Sequence, residues 1–475
     1  MRNFVLIVIL FSSLRMVNAQ PSERQRVIVL TDIEADPDDT QSLVRLLLYS
    51  NEIDIRGIVA TTSCWLQYSI HPNSIKRVLK AYEQVQPNLL QHDPNFPNAE
   101  HLFTLIKSGQ PKYGMKEVGD GKDSEGSDWI ISELEKDDER LLWISVWGGA
   151  NTLAQALHKI QSTKSPKEQK KLISKLRVYT ISDQDDSGIW IRNTFPKLFY
   201  IVSPGDDYGQ ATWTAINAYF HGIDNQRISN SWIASNIQQG HGALGATYPD
   251  VAWGMEGDTP AFLSLIPNGL NSPEHPDWGG WGGRYELYKP DFEGVKDGSS
   301  IVKPAPEIRP IWTNAIDSYT PYVPNDYGRT VKRDTNTFKN DKVTLWRWRD
   351  DFQNDFAARM DWCTMSYEEA NHAPKIVLNN SEFMTVKSGQ GFVLDAFDTS
   401  DPDGDSFSFL WSNYPEAGTY ETEIKIEGAN NSHGAYVVAP IVNQEETLHF
   451  ILKVTDRGEP AMCSYKRVIV TVKPD

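Results

Sequence analysis

The stretch RVIVLTDIEADPDDTQSLVRLLLYS, Arg26 to Ser50, decides the fold. It opens on the apolar run RVIVLTD, which reads as a buried strand, and closes on TQSLVRLLLYS, which reads as a helix. Between them Asp32, Glu34, Asp36, Asp38 and Asp39 fall within eight positions. Carboxylates packed this closely repel one another unless a cation sits among them. In an open parallel sheet, ligands bind beyond the carboxyl ends of the strands, so these acids stand where a site belongs. Carboxylates are hard oxygen ligands, suited to Ca²⁺ or Mg²⁺. An EF-hand loop is excluded, because its sixth position would be Pro37 and its twelfth Leu43. The attraction of acids to the positive end of a helix accounts for Asp38 and Asp39 but not for Asp32 and Glu34 at the strand end.

The same alternation continues outward. IDIRGIVATTS (53–63), LLWISVWGG (141–149), LRVYTIS (176–182) and KLFYIVS (197–203) read as strands; NSIKRVLKAYEQV (73–85) and NTLAQALHKI (151–160) read as helices. The strands are unbroken apolar runs, as expected where helices cover both faces of a mostly parallel sheet. From about residue 205 to 330 the chain is irregular and rich in Gly, Pro and Trp, with ordered loops expected; KVTLWRWRDDFQNDFAARMDW (342–362) reads as a late helix. After NHAPKIVL (371–378) short β-rich runs separated by turn clusters predict an Ig-like β-sandwich. Its one tryptophan, Trp411, is assigned to its core, and the Asp-rich SDPDGDS (400–406) to a hairpin turn, with Ca²⁺ binding as the alternative.

The length of 475 residues suits two or three domains. A net charge of −17 argues against binding nucleic-acid polymers or anionic membranes. Residues 1–19 read as a signal peptide: Arg2, then FVLIVILFSSL, then the small-residue pattern VNA. A secreted protein, periplasmic or extracellular, with no membrane attachment after signal removal, is expected. Three cysteines, Cys64, Cys363 and Cys463, make no disulfide framework, and one bridge is left open.

LTDIEADPDDTQSLVRLLL resembles the opening motif of nucleoside hydrolases, a strand followed by Asp-x-Asp-x-x-x-Asp-Asp and a helix. RGIVATTSCW resembles that family's second strand, WGGANTLAQAL its third-strand motif, and EGDTPAFLSLI the late motif that supplies a further metal-binding Asp. WGGWGGRYE and VWGGANTLAQAL are similar to a secreted branch carrying a C-terminal Ig-like domain and labelled cellulose-binding proteins. The resemblance implies a nucleoside-hydrolase-like α/β domain over 24–371 and an Ig-like β-sandwich over 372–475. It also implies a Ca²⁺ site, with Mg²⁺ second, formed by Glu34, Asp39, the Asn151 carbonyl and Asp258. Glu34 takes the position of the general base, Asp38 contacts a sugar hydroxyl, and Asp32 supports the loop. Two departures stand out: Glu34 replaces the usual Asp, and Gly257 precedes Asp258 where many nucleoside hydrolases carry a leaving-group His.

His241 is the candidate substitute acid, a structural hydrogen bond being its alternative. Asn193 and the run Ser182 to Asp186 are candidates to reach the site, or else a solvated turn. Trp278 and Trp281 in HPDWGGWGGRYELY offer faces for sugar rings or for packing beneath a loop. Arg284 is a substrate clamp or a loop ion pair. Two functions are carried forward. One is a Ca²⁺-dependent, inverting hydrolase of an N- or O-furanosidic bond, its substrate a nucleoside, a small sugar or a plant-wall polysaccharide. The other is a carbohydrate-binding protein, for cellulose, whose hydrolase-like domain lacks turnover.

Overall fold

The computed structural model describes residues 24–205, 208–291, 302, 306–324 and 331–475. The expected signal peptide lies outside these residues. An eight-stranded sheet forms the centre of the first domain. Its strands are β1 (Arg26–Thr31), β2 (Asp54–Ala60), β3 (Ile106–Ser108), β4 (Leu142–Val146), β5 (Leu176–Ser182), β6 (Phe199–Ser203), β7 (Tyr285–Tyr288) and β8 (Ile311–Asn314). They lie in the order β3-β2-β1-β4-β5-β6-β8-β7, all neighbours parallel except the antiparallel β7–β8 edge. β3 was invisible to periodicity because it is only three residues long, and β7 and β8 lay in the irregular region.

Strand β1 explains its own composition. Val27 and Val29 enter the core on one face of the sheet, and Ile28 and Leu30 enter a separate core on the other. Successive strand residues point to opposite faces, so only an unbroken apolar run can fill both. Each fully buried aliphatic side chain contributes about 1.5–3 kcal/mol. Helix α1 (Asp38–Leu48) then buries Leu43, Val44, Leu46, Leu47 and Leu48 against the first core. From β1 the chain moves outward through β2 to β3, then returns to place β4 on the other side of β1. The crevice at this reversal opens beyond the ends of β1 and β4, where an open parallel sheet takes its ligand.

The C-terminal domain is a sandwich of a four-stranded sheet (Phe383–Lys387, Cys463–Lys473, Glu446–Asp456, Phe407–Asn413) and a three-stranded sheet (Gly391–Asp395, Gly434–Val438, Ile426–Glu427). Trp411 is fully buried in it. All three cysteines are buried, and none of them is in a disulfide. Among the described residues no helix is long and apolar enough to cross a membrane.

The two domains meet through buried polar anchors. Tyr414 donates to Asp317 at 2.5 Å, Lys453 pairs with Asp351 at 2.9 Å, and Arg467 donates to the carbonyls of Leu270 and Gly279 at 3.0 and 2.8 Å. Asp317 also receives Arg284 at 2.6 Å and Arg347 at 3.2 Å, so its buried carboxylate is paired.

His449 makes this contact sensitive to acid. Its Nδ1 accepts from Arg467 at 3.0 Å, which requires the neutral imidazole. Burial, then the Arg467 charge, then His275, depress its pKa to about 3. A depressed histidine contributes stability that is complete above its unfolded value, about 6.5, and lost as pH falls toward the folded one. Thermal melts should therefore show stability declining below about pH 6.5, with a shallower decline in His449→Gln. Parallel declines in both proteins would remove His449 as the cause.

Candidate metal and substrate site

Beyond β1 the backbone turns sharply, with the Ala35 N–H bonded to the Asp32 carbonyl at 2.9 Å and Glu34 at φ +86°. Asp36 Oδ1 accepts the Asp38 N–H at 3.0 Å, so that acid organises the start of α1. Asp39, one turn on, is buried and accepts from the Thr31 hydroxyl at the end of β1. Asp258 arrives from the loop before the short helix Pro260–Leu263. Asp38, Asp39 and Asp258 each offer a carboxylate oxygen, all within 4.8 Å of one another. That spread suits three ligands about 2.4 Å from a common Ca²⁺. Asp258 Oδ2 is buried with no hydrogen-bond partner, the condition expected of an atom awaiting a cation. The donor set fits a hard dication.

The electrostatics agree. Burial first, then repulsion from neighbouring acids, raise the pKa values of Asp38, Asp39 and Asp258 well above the carboxylate range, the Asp38–Asp36 hydrogen bond adding to the rise at Asp38. Burial lifts Asp32 to about 6, against the lowering effect of its bond to Ser63. Asp32 lies behind the cluster, pressed on the loop after β4: a Cβ on Gly148 would meet its Oδ1 at 2.4 Å. A glycine is needed there so that the two strand ends can close together.

Glu34 lies elsewhere. The left-handed turn directs its carboxylate to the Ser74 hydroxyl and to Arg77 at 2.8 Å, on the helix α2 (Pro72–His92). Those two hydrogen bonds lower its pKa, and it is not in the three-carboxylate cluster. Asn151 opens the helix after β4; its N–H donates to Asp185 at 3.0 Å and its amide to the Lys112 carbonyl at 2.8 Å, while its Oδ1 is buried without a partner. Asn193 is exposed at the end of the helix Ser187–Thr194. The acids after β5 are structural: Asp183 takes both arms of Arg192 at 2.8 Å, and Asp185 caps Ser187.

Four other candidates have different partners. His241 Nε2 bonds Asp361 at 3.0 Å, at the end of the helix Arg349–Asp361, so its structural alternative is the one observed. Trp278 stacks on His275 at 3.9 Å and edges onto His449; Trp281 is buried between Phe352 and Tyr465. Both belong to the domain contact. Arg284 forms the buried ion pair with Asp317 described above.

The aromatic wall of the site comes from residues the sequence did not single out. Trp213 lies against Gly257, whose Cβ would be 2.9 Å from its ring and 2.6 Å from Asp38 Oδ2. Tyr208 packs edge-on to Trp213 at 5.1 Å, and its hydroxyl accepts from the indole of Trp65 at 2.9 Å. Trp65, 51% exposed, follows β2 at the same end of the sheet. Its position directly after a strand end was the available signal; Trp213, in irregular sequence, had none. A side chain at position 257 would press on both Asp38 and Trp213.

A buried pair fastens the two halves of the cluster. Arg45, on α1, meets Glu256 at 2.5 Å, both with fully buried side chains. Glu256 also accepts from Tyr248 at 2.6 Å and Thr259 at 3.0 Å, and stands two residues before Asp258.

A mostly parallel sheet with carboxylates gathered at its switch point defines a doubly wound α/β protein. Residues 26–285 match the family described as cellulose-binding Sde182, nucleoside hydrolase-like domain, and residues 391–472 match the cellulose-binding protein Sde0182 C-terminal domain. The chain belongs to this Sde182 family. A solved nucleoside hydrolase-related protein from Saccharophagus degradans, described as associated with carbohydrate metabolism, is 37% identical. The match covers 95% of this chain and 100% of that one, with a TM-score of 0.78. A PKD domain from the KIAA 1837 protein, 23% identical over 22% of this chain and 92% of that one, has a TM-score of 0.17 and carries no argument. No curated protein matches the chain.

Proposed function

We infer that the protein has a carbohydrate-related function, a reading that membership in this family supports. We propose that the protein is an exported, Ca²⁺-dependent hydrolase of a glycosidic bond, acting on a saccharide or nucleoside held beyond β1 and β4. The observation that carries the reading is the convergence of Asp38, Asp39 and Asp258, with the orphaned Asp258 Oδ2, beside the Trp213–Tyr208–Trp65 wall. When bound, Ca²⁺ would offset the acid repulsion and polarise sugar hydroxyls. The carboxylates stabilise the oxocarbenium-like charge that develops as the bond to the anomeric carbon breaks. Trp65 and Tyr208 present flat faces to the ring of the leaving group. Glu34, tied to Arg77, is a poor proton acceptor. Asp38, the half-buried member of the cluster, takes the proton of the attacking water. The leaving group departs along the aromatic side, where solvent supplies its proton.

The test is release of reducing sugar from nucleosides and plant-wall oligosaccharides in Ca²⁺. Asp38→Asn should abolish turnover and Glu34→Gln should retain most of it; the opposite ranking would return the base role to Glu34. Trp65→Ala should raise KM about tenfold with little change in kcat, the effect of losing one stacking face.

A second reading, binding without turnover, is favoured by Gly257, which offers no side chain to act as a leaving-group acid before Asp258. Retention on insoluble cellulose by Asp38→Asn, with no substrate cleaved by the parent, would establish it.

A further inference from the structure

A groove separate from the acidic site runs along the seam between the domains. Three cavities of about 490, 210 and 510 Å³ adjoin one another there. Tyr322 and Ser412 line all three; Tyr319 and Arg347 are common to the first two, and Arg333, Asn413 and Glu423 to the last two. The walls are the antiparallel ribbon Tyr322–Pro324 with Val331–Arg333, the segment Trp346 to Asp351, and the sandwich strands Phe407–Asn413 and Glu446–Asp456. None of the clustered acids Asp38, Asp39 and Asp258 lines it. Each of the two larger cavities has the size of a small-ligand site, and their adjacency suits a chain molecule rather than a single ring.

The lining specifies the chemistry. In a protein of net charge −17, basic and acidic side chains line this groove in equal number. They are largely paired: Arg333 with Glu423, Arg227 with Asp350 at 3.5 Å, and Lys453 with Asp351 at 2.9 Å. An ionic ligand would find no field of one sign to attract it. The Asp350 and Glu423 side chains, 56% and 59% exposed, still present acceptor edges, and their Arg partners present donors. Tyr319 and Tyr322, each with one ring face under an Arg guanidinium, and the edges of the buried Trp346 and Trp348 add apolar surface. Mixed donors and acceptors beside aromatic rings match a neutral polyhydroxylated chain, whose hydroxyls both give and accept hydrogen bonds and whose ring faces are apolar.

We propose that this interdomain groove is a second carbohydrate site, which holds a neutral oligosaccharide chain independently of the acidic cluster. It shares the carbohydrate reading of the family but does not depend on turnover. It gives the sandwich a role beyond packing, because its strands and loops form one wall of the groove.

The test is calorimetric titration of cellohexaose into the full chain, with chelator present so that no Ca²⁺-dependent cleavage occurs. Tyr322→Ala, on the ribbon and outside the core, and Ser412→Trp, which fills the groove where the three cavities meet, are compared with Asp38→Asn/Asp39→Asn. The parent should bind, each groove variant should bind about tenfold more weakly or worse, and the acidic-site variant should bind as the parent does. Absence of binding by the parent, parental affinity in Tyr322→Ala, or loss confined to the acidic-site variant would each overturn the proposal. Turnover measured separately in Ca²⁺ reads the acidic site, so failure of one reading leaves the other distinguishable.

Discussion

Calcium titrated into chelator-stripped protein should bind at one site, and Asp39→Asn or Asp258→Asn should weaken that binding on the order of a hundredfold or more. Each substitution keeps the side-chain shape and removes one of three converging charges. Asp39 is positioned by Thr31 at the end of β1, and Asp258 Oδ2 has no other partner, so neither can be replaced by a neighbour without moving the backbone. Binding only to the folded state should stabilise it by about 2.7 kcal/mol when free Ca²⁺ is a hundred times its dissociation constant. The substitutions should have opposite effects with and without the ion. In chelator, Asp258→Asn relieves repulsion from Asp38 and Asp39 and should melt above the parent; in Ca²⁺ the order should reverse. A parent that takes up no Ca²⁺, or variants that take it up equally well, would remove the metal site and the hydrolase mechanism built on it.

The second large effect concerns stability. Arg45→Met should cost about 3–5 kcal/mol, because it leaves the Glu256 carboxylate buried without its cation. Arg45 also donates to the Phe352 carbonyl at 3.0 Å and lies over the Phe356 ring at 4.0 Å, so packing is lost with the charge. Neutralising the partner as well, in Arg45→Met/Glu256→Gln, should recover part of the loss, since the uncompensated charge is its largest component. Urea unfolding of the three proteins measures this. The single variant should also bind Ca²⁺ more weakly, because the pair joins α1 to the loop bearing Asp258. A loss below about 1 kcal/mol would place Arg45 among ordinary packing residues.

Residues whose role has a local cause are legible in the sequence. RVIVLT had to be a strand covered on both faces, because Val27 and Val29 fill one core while Ile28 and Leu30 fill the other. The core reading of Trp411 follows the ordinary behaviour of that side chain and is seen, whereas Arg284, a candidate substrate clamp with a loop ion pair as its alternative, makes the ion pair. Trp278 and Trp281 illustrate the limit. A glycine-rich stretch with tryptophans looks the same whether its rings face a sugar or another domain, and here Tyr465 and His449, far along the chain, take them.

The sequence by itself determined that a buried parallel strand ends in a knot of acids and leads into a helix, that this unit recurs, and that a β-sandwich follows. Those properties are set by periodicity and by side-chain chemistry over a few neighbouring residues. Only the tertiary structure decided which acids meet. A left-handed turn at Glu34 sends its carboxylate to Arg77, while Asp258 crosses from a distant loop to join Asp38 and Asp39. The same holds for the wall made by Trp65, Tyr208 and Trp213 and for the groove between the domains. Convergence of distant segments depends on how the sheet orders its strands and how the domains pack, and neither leaves a periodic trace in the residues that meet.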